Sequence, residues 1–438
     1  MDEGARGFGG RLRASRRSSR LSQQELAERS GLSIRTISKL ECGRTRWPYP
    51  DSVDRLADAL GLRDAERAEF TATAERRLGN STEPARPHAG HGYVPRLLPA
   101  PTPAFTGRND ELKTLSRIFD EPGGTTLVTA ITGTAGAGKT ALAVHWAHQV
   151  AEEFPDGQLF INLRGFGPAG TPLAPPDASR VFLDSLQVRA DRLPATAEAQ
   201  LGLYRSLLAG KRMLIVLDNA RNAAQVRPLL PGSPTCRVIV TSRDRLPGLT
   251  VTEAARPLPL NALTSGEARQ LLAARLGSAR LATDRHATDQ IVSSCAGLPL
   301  TLCIVAARAE HRQDLPLSRI VTDLAARPIL DAFTDLADPA ADIRAAFSWS
   351  YQQLDSDAAR TFRLVGQHPG LDLEPHAIAA LTGTTPERAG RALDALARAS
   401  LIQATGQERY TMSHLLRAYA CEQAAQHEEE ESRAAAPV

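Results

Sequence analysis

Apolar and polar positions follow three successive rhythms along this chain. Over residues 8–79 apolar residues recur at helical spacing, broken at Gly31, Gly43 and Gly61, which predicts a small all-helical module. Within it Ser22 and Glu25 form a capping box that starts a helix at Gln23, Gly31 permits a sharp turn, and Ser33 caps a second helix. Leu26, Ala27, Leu32, Ile37 and Leu40 then share one face. From 105 to 257, β-branched runs alternate with helical ones. Strands are expected at Thr125–Thr132, Gln158–Leu163, Met213–Leu217 and Arg237–Thr241, with a fifth near Leu249–Thr252. Such alternation implies a parallel sheet covered by helices on both faces. The third rhythm is helical again. Residues 260–330 begin with a capping box, Thr264 with Glu267, and 340–420 add a small hairpin from Leu401–Gln403 and Arg409–Met412.

Between the first two regions lies a stretch rich in Pro, Ala and Gly without periodicity, which reads as a linker. The expected division is 1–79, linker 80–104, 105–257, 258–335, 336–420 and an acidic tail 421–438, the tail disordered around Glu428–Glu431.

Composition changes this picture in two ways. Hydrophobic content of 42% and charged content of 23% fit a soluble globular chain, with no apolar run of membrane-spanning length. No leader-like apolar segment follows the N-terminus, and the five scattered cysteines form no C-x-x-C pair, so a reducing cytoplasm is expected and a zinc or disulfide framework is not. The net charge is +3, but residues 1–50 hold eleven Lys/Arg against five acids, which points to a polyanionic partner at that end.

Gly133-Thr134-Ala135-Gly136-Ala137-Gly138-Lys139-Thr140 fits G-x-x-x-x-G-K-[ST] between a strand and the helix beginning at Ala141. Successive backbone N–H groups and the helix N-terminus are thereby aimed at a phosphate chain. Lys139 reaches the outer phosphates, and Thr140 with Asp218, at the end of the strand Arg212–Asp218, would hold Mg²⁺. Arg243, ending the strand Arg237–Arg243, is suited to sensing a γ-phosphate. Asn219 follows Asp218 and cannot accept a proton from an attacking water, so hydrolysis should be slow; the chain is at most a slow regulatory ATPase.

Leu21–Glu41 resembles the phage-repressor (Cro/C1, XRE-type) helix-turn-helix over about residues 8–65. That resemblance implies double-stranded DNA as partner, with Gln23 anchoring a phosphate, Ser33, Ile34, Arg35, Thr36 and Lys39 on the groove-facing helix, and Arg44 and Arg46 on phosphates.

Residues 100–420, through the phosphate loop, Asp218, Arg243, Gly297-Leu-Pro-Leu300 and Phe105-Thr-Gly-Arg108, resemble the NB-ARC class of STAND regulatory ATPases. The resemblance implies a multidomain chain: an all-α helix-turn-helix domain, an α/β P-loop NTPase domain with a parallel sheet, a helical (ARC1-like) domain and a winged-helix domain. It implies ATP or ADP as ligand, Phe105, Thr106, Gly107 and Arg108 beside adenine and ribose, and Pro299 pressing on the nucleotide. Phe347–Tyr351 and Arg409–Ala420 match the winged-helix segment. There the family's Met-His-Asp is replaced by Met412-Ser413-His414, so that Ser413 or His414 takes the β-phosphate contact. Three functions follow. One is an ATP/ADP-switched transcriptional regulator that opens and self-associates in the ATP state, set off by an unidentified ligand or protein. The others are a signalling or defence scaffold and an ATPase machine.

Overall fold

The computed structural model describes residues 8–19, 21–30, 32, 34–41, 50–63, 66–67, 70, 93–120, 127–167, 171–334, 341–368 and 372–435. It divides into two units, Met1–His91 and Gly92–Val438.

In the first unit, α1 (Phe8–Ser18), α2 (Gln23–Ser30), α3 (Ile34–Glu41) and α4 (Pro50–Ala59) enclose a core of Phe8, Leu12, Leu26, Ile37, Leu40, Leu56 and Phe70. The expected capping box is formed in both directions: Ser22 Oγ accepts from the Glu25 N–H, and Glu25 Oε2 accepts from the Ser22 N–H. This satisfies donors that the start of α2 leaves free.

The second unit opens with α5 (Asn109–Asp120) and β1 (Leu127–Thr132), and α6 (Lys139–Gln149) leads to β2 (Gln158–Asn162). Next come α7 (Pro175–Ser185), α8 (Ala197–Leu208), β3 (Leu214–Ala220), α9 (Ala223–Val226), β4 (Arg237–Ser242), α10 (Pro247–Glu253) and β5 (Arg256–Pro259). The five strands are parallel in the order β2-β3-β4-β1-β5. Each face carries its own apolar core, one around Ile215, Leu217 and Val240, the other around Ile131, Val216 and Ile239.

The fifth strand lies at Arg256–Pro259, whereas the expected Leu249–Thr252 falls in α10. Pro247 starts that helix and buried Leu249 anchors it. The strand itself, Arg-Pro-Leu-Pro, escapes a β-branched pattern because it sits at an edge, where prolines cost no ladder bond. At the opposite edge, residues of the presumed linker run along β2: the Gln158 N–H donates to Pro95 O at 2.7 Å and the Leu97 N–H to Gln158 O at 3.0 Å.

Beyond the sheet come α11 (Ser265–Leu276), α12 (Ser278–Thr283), α13 (Arg285–Ser294), α14 (Pro299–Glu310) and α15 (Leu317–Ala325), with the Thr264–Glu267 capping box formed. The last segment contains α16 (Ile343–Tyr351), α17 (Ser356–Gly366), β6 (Asp372–Leu373), α18 (Pro375–Thr382), α19 (Pro386–Arg398), β7 (Gln403–Gly406), β8 (Arg409–Thr411) and α20 (His414–Ala435). The hairpin begins two residues later than expected, and β6 adds a third antiparallel strand beside β8. The acidic stretch Glu428–Glu431 is helical rather than disordered, because it continues α20, whose first turns are anchored by buried Leu415, Leu416, Tyr419 and Ala420.

Candidate nucleotide site

The chemistry gathers at the carboxyl ends of the strands, where parallel α/β sheets place ligands. The phosphate loop leaves β1 with Gly133, Gly136 and Gly138 all at positive φ, 148°, 77° and 90°. The first two answer a close approach. A Cβ on Gly133 would collide with the Leu260 carbonyl, and one on Gly136 would lie 3.0 Å from the Leu300 side chain. Gly138 caps α6, so that helix aims its N-terminus into the loop.

Lys139 Nζ donates to the carbonyls of Gly133 and Thr134 at 2.9 and 2.8 Å. Burial, with Arg243 close by, pushes its pKa down to about 7 despite the opposing pull of Asp218. Thr140 Oγ1 donates to Asp218 Oδ1 at 2.7 Å, and Thr241 Oγ1 to the same oxygen at 2.6 Å. Burial raises the Asp218 carboxyl above its usual range against these hydrogen bonds and the Lys139 charge. The register of β3 against β4 slips between Leu217 and Ala220. In that bulge Asn219 takes a φ of 56°, donating its N–H to Thr241 Oγ1 at 2.9 Å and its side-chain amide to Phe166 O at 2.7 Å. Asn219 is therefore a brace, holding the end of β3 to the loop after β2. Thr241 was not singled out from the sequence, although it precedes Arg243 by two residues in the same strand.

Arg243 reaches away from the sheet. Its guanidinium lies 5.2 Å from the ring centres of both Phe166 and Trp349, and it donates to the Ala346 carbonyl of α16. Burial lowers its pKa to about 10. Neither aromatic ring was marked as a partner in the sequence, since Trp349 is about a hundred residues distant.

The opposite side of the loop is built from Phe105–Arg108. Phe105 stacks on His145 of α6 with ring centres 4.1 Å apart. Arg108 is buried at a φ of 62°, and its guanidinium donates to Ala137 O at 3.2 Å, Asn261 O at 2.6 Å and Glu111 Oε1 at 2.9 Å. Arg108 thus braces the loop from behind. Gly107, at a φ of 73°, lets Glu267 approach and accept the Arg108 N–H at 2.8 Å.

The helical segment closes on the loop directly. The Leu300 N–H donates to Gly136 O at 3.2 Å, and Pro299 lies against Gly138, with Ala141 in the first turn of α6 beyond it. Ala135, 3% exposed, belongs to one continuous apolar core with Leu298 and Leu302 of the helical segment and Phe347 of α16. Ser413 and His414 are both occupied elsewhere. Ser413 Oγ accepts the Leu416 N–H and caps α20, while His414 Nε2 meets Ser294 O at 3.1 Å.

These residues fit a nucleoside phosphate with Mg²⁺. The loop turns on three positive-φ glycines with the α6 N-terminus aimed into it, the Thr140 hydroxyl and the buried Asp218 carboxylate supply hard oxygen ligands, and Thr106 Oγ1 is buried with no hydrogen-bond partner. When bound, the metal would offset phosphate charge; Lys139 and the loop N–H groups hold the phosphates in place.

In the first unit, Gln23 donates its side-chain amide to Glu41 Oε2 at 2.7 Å. Arg16 makes a two-pronged pair with the same carboxylate at 2.6 and 3.0 Å. Burial disfavours the charged Glu41, but Arg16, Gln23 and Arg13 outweigh it and hold its carboxyl below the usual range. Thr36 is half-buried on α3. Ser33, Arg44 and Arg46 lie outside the described residues, as do the side chains of Ile34, Arg35 and Lys39.

Sheet order and phosphate loop define a P-loop NTPase-like domain with an appended helical segment, preceded by a helix-turn-helix module. A family described as "Helix-turn-helix domain" matches residues 8–70. The chain is 38% identical over 380 residues to Regulatory protein AfsR of Streptomyces griseus, covering 85% of this chain and 38% of that protein. It is 35% identical over 383 residues to Regulatory protein AfsR of Streptomyces coelicolor (strain ATCC BAA-471 / A3(2) / M145), again covering 85% and 38%. The chain thus spans well under half the length of these curated relatives. Among solved structures it is similar to the Walker-type ATPase PABY2304 of Pyrococcus abyssi, with a TM-score of 0.49 and 13% identity over 72% of this chain and 95% of that one. It is also similar to the ORC2 protein of Aeropyrum pernix, with a TM-score of 0.45 and 15% identity over 78% and 98%. No helix among the described residues is long and apolar enough to cross a membrane.

Proposed function

We propose that this chain is a DNA-binding transcriptional regulator switched by ATP and ADP. The observation that carries the reading is the seating of the phosphate loop. Ala135 is buried in the same core as the helical segment and α16, and Gly136 O accepts from Leu300. A change in what the loop holds therefore acts on the packing of everything that follows the sheet. Arg243 adds a second link, from the end of β4 to α16.

In this reading the residues after the sheet form a helical domain (258–335) and a winged-helix domain (336–420). ADP favours the closed arrangement, ATP with Mg²⁺ on Thr140 and Asp218 favours an open one that self-associates, and the helix-turn-helix is the output. To move such an equilibrium from nearly all closed to nearly all open, the two nucleotides must discriminate by about 10⁴-fold. Pairing two helix-turn-helix modules on a two-part site raises their effective concentration on DNA. The similarity to proteins named as regulatory supports this output, and the Asn219 brace speaks against a fast ATPase.

Native mass measurement with ADP, ATP and a non-hydrolysable analogue, together with genomic DNA capture from the same samples, tests the proposal. Larger assemblies and stronger DNA capture with the analogue are expected. An assembly state indifferent to nucleotide would overturn the switch, and Arg35→Ala or Lys39→Ala binding DNA as well as the parent would overturn the DNA assignment.

A further inference from the structure

The edge of the sheet farthest from β5 is not bare. Beside β2, residues 94–99 (Val-Pro-Arg-Leu-Leu-Pro) run parallel to it, with Arg96 opposite Gln158. The Gln158 N–H donates to Pro95 O at 2.7 Å, and Leu97 returns its own N–H to Gln158 O at 3.0 Å. Pro95 has no N–H to offer, which costs nothing at this edge, because only its carbonyl takes part in the pairing. Leu97 packs on the sheet face around Ile215, and Leu98 on the opposite face around Val216. That alternation is a strand's. At the far end His148 Nε2, on α6, meets Pro99 O at 2.8 Å.

The seat is shaped for this segment, yet its grip is slight. Gly157, just before β2, has a φ of 115°, and a Cβ there would collide with the Pro95 carbonyl oxygen. Of the six residues only Pro95 is buried, while Leu97 and Leu98 are half-buried. A cleft of about 370 Å³ stays open where Val94, Arg96 and Leu98 face His148, Glu152 and Phe154. Two backbone hydrogen bonds and two half-buried leucines are set against the entropy of ordering six residues, and these terms are of similar size. The docked and free states of such a segment lie close in free energy.

We propose that residues 94–99 are a releasable strap. Docked, they fix the point at which the chain leaves the nucleotide domain. Released, they add to the stretch that leads back to the helix-turn-helix module and lengthen its reach. Six residues span at most about 20 Å. A pair of chains therefore gains about 40 Å, more than the roughly 34 Å of one DNA turn. Release then widens the spacing of half-sites that two modules can occupy. That consequence rests on the function proposed above; the strap itself does not.

Cleavage by trypsin after Arg96 in the full chain, read by mass spectrometry, tests this, because a protease needs its target segment free of the sheet. The parent should be cut at least about tenfold more slowly than a synthetic peptide of residues 92–100. Gly157→Val blocks the seat, and Leu97→Ser combined with Leu98→Ser removes the apolar grip. Each should bring cleavage close to the rate of the corresponding peptide. Cleavage after Arg237, inside the sheet, should be unchanged, which separates release from unfolding. In small-angle scattering the maximum dimension should grow by on the order of 10–20 Å. Should Gly157→Val fail to fold, the leucine variant carries the test.

A parent cut as fast as its peptide, folded variants cut no faster than the parent, faster cutting matched at Arg237, or an unchanged maximum dimension would each overturn the proposal. Release as described in a chain that captures no DNA would instead overturn the function proposed above and leave the strap standing.

Discussion

The guanidinium of Arg243 stands 5.2 Å from the ring centre of Trp349 and at the same distance from that of Phe166. An arginine at the carboxyl end of a sheet strand is thereby fastened to a helix that begins a hundred residues later. A cation–π contact of this partly desolvated kind is worth about 1–2 kcal/mol. Trp349→Ala should therefore loosen α16 from the sheet, lowering the melting temperature and speeding ADP release. Trp349→Phe should keep most of the contact. Stopped-flow displacement of a fluorescent ADP reports the release rate, and equal rates for all three proteins would refute this role.

The brace at Asn219 leads to a counter-intuitive expectation. Asn219→Asp restores a second acid beside Asp218, but it replaces an amide that donates to Phe166 O with a group that repels that carbonyl. Loss of the bond and the added repulsion should cost about 1–3 kcal/mol. Steady-state phosphate release should remain as slow as in the parent while thermal stability falls. A large gain in turnover would show that the missing acid, rather than the geometry, limits hydrolysis.

Lys139 makes nucleotide binding depend on pH. Burial holds its pKa at about 7, below the ordinary lysine value, and a bound phosphate's charge would bring it back up. Where the bound form holds a proton that the free form lacks, affinity falls as pH rises. Binding should be fully developed below about pH 7 and weaken above it, by up to about tenfold per unit. Calorimetry at pH 8.5 in two buffers of different ionisation heat should show proton uptake, and Lys139→Arg, whose side chain stays charged, should show none.

In the helix-turn-helix module the buried Glu41 carboxylate relies on Arg16. Arg16→Ala leaves that charge with Gln23 and the more distant Arg13, at a cost on the order of 3 kcal/mol. Hydrogen exchange of α1–α3 in the full chain should accelerate accordingly. The folded pKa of Glu41 is depressed, so the pair's contribution is present above the ordinary carboxylate range and is lost as pH falls through the folded value. Acid should then bring the parent's exchange toward that of the variant.

Much of this was legible in the residues. The phosphate loop, four of five sheet strands, and the capping boxes at Ser22 and Thr264 rest on local chemistry, which a short window of sequence contains. Long-range partners were not legible. Nothing near Arg243 announces Trp349, and nothing near Gln23 announces that its amide is spent on Glu41. The misplaced fifth strand has the same origin: Val251 and its neighbours have strand-like side chains, but the turn after Pro247 makes them helical, while Arg256–Pro259 becomes a strand only because β1 lies beside it. His414, for which the sequence left open a phosphate contact or a hydrogen-bonded structural place, meets Ser294 O, a partner 120 residues away in sequence that no local pattern announces.

The burial of Ala135 bears on how this chain tolerates change. A phosphate loop that is free on its outer side can be altered residue by residue, with each effect confined to ligand affinity. Here one loop residue is part of the interior of the segments that follow the sheet. A larger side chain at 135 would be felt in the packing around Leu302 and Phe347 before any nucleotide was present, so drift at this position is constrained jointly by the ligand and by the distant core.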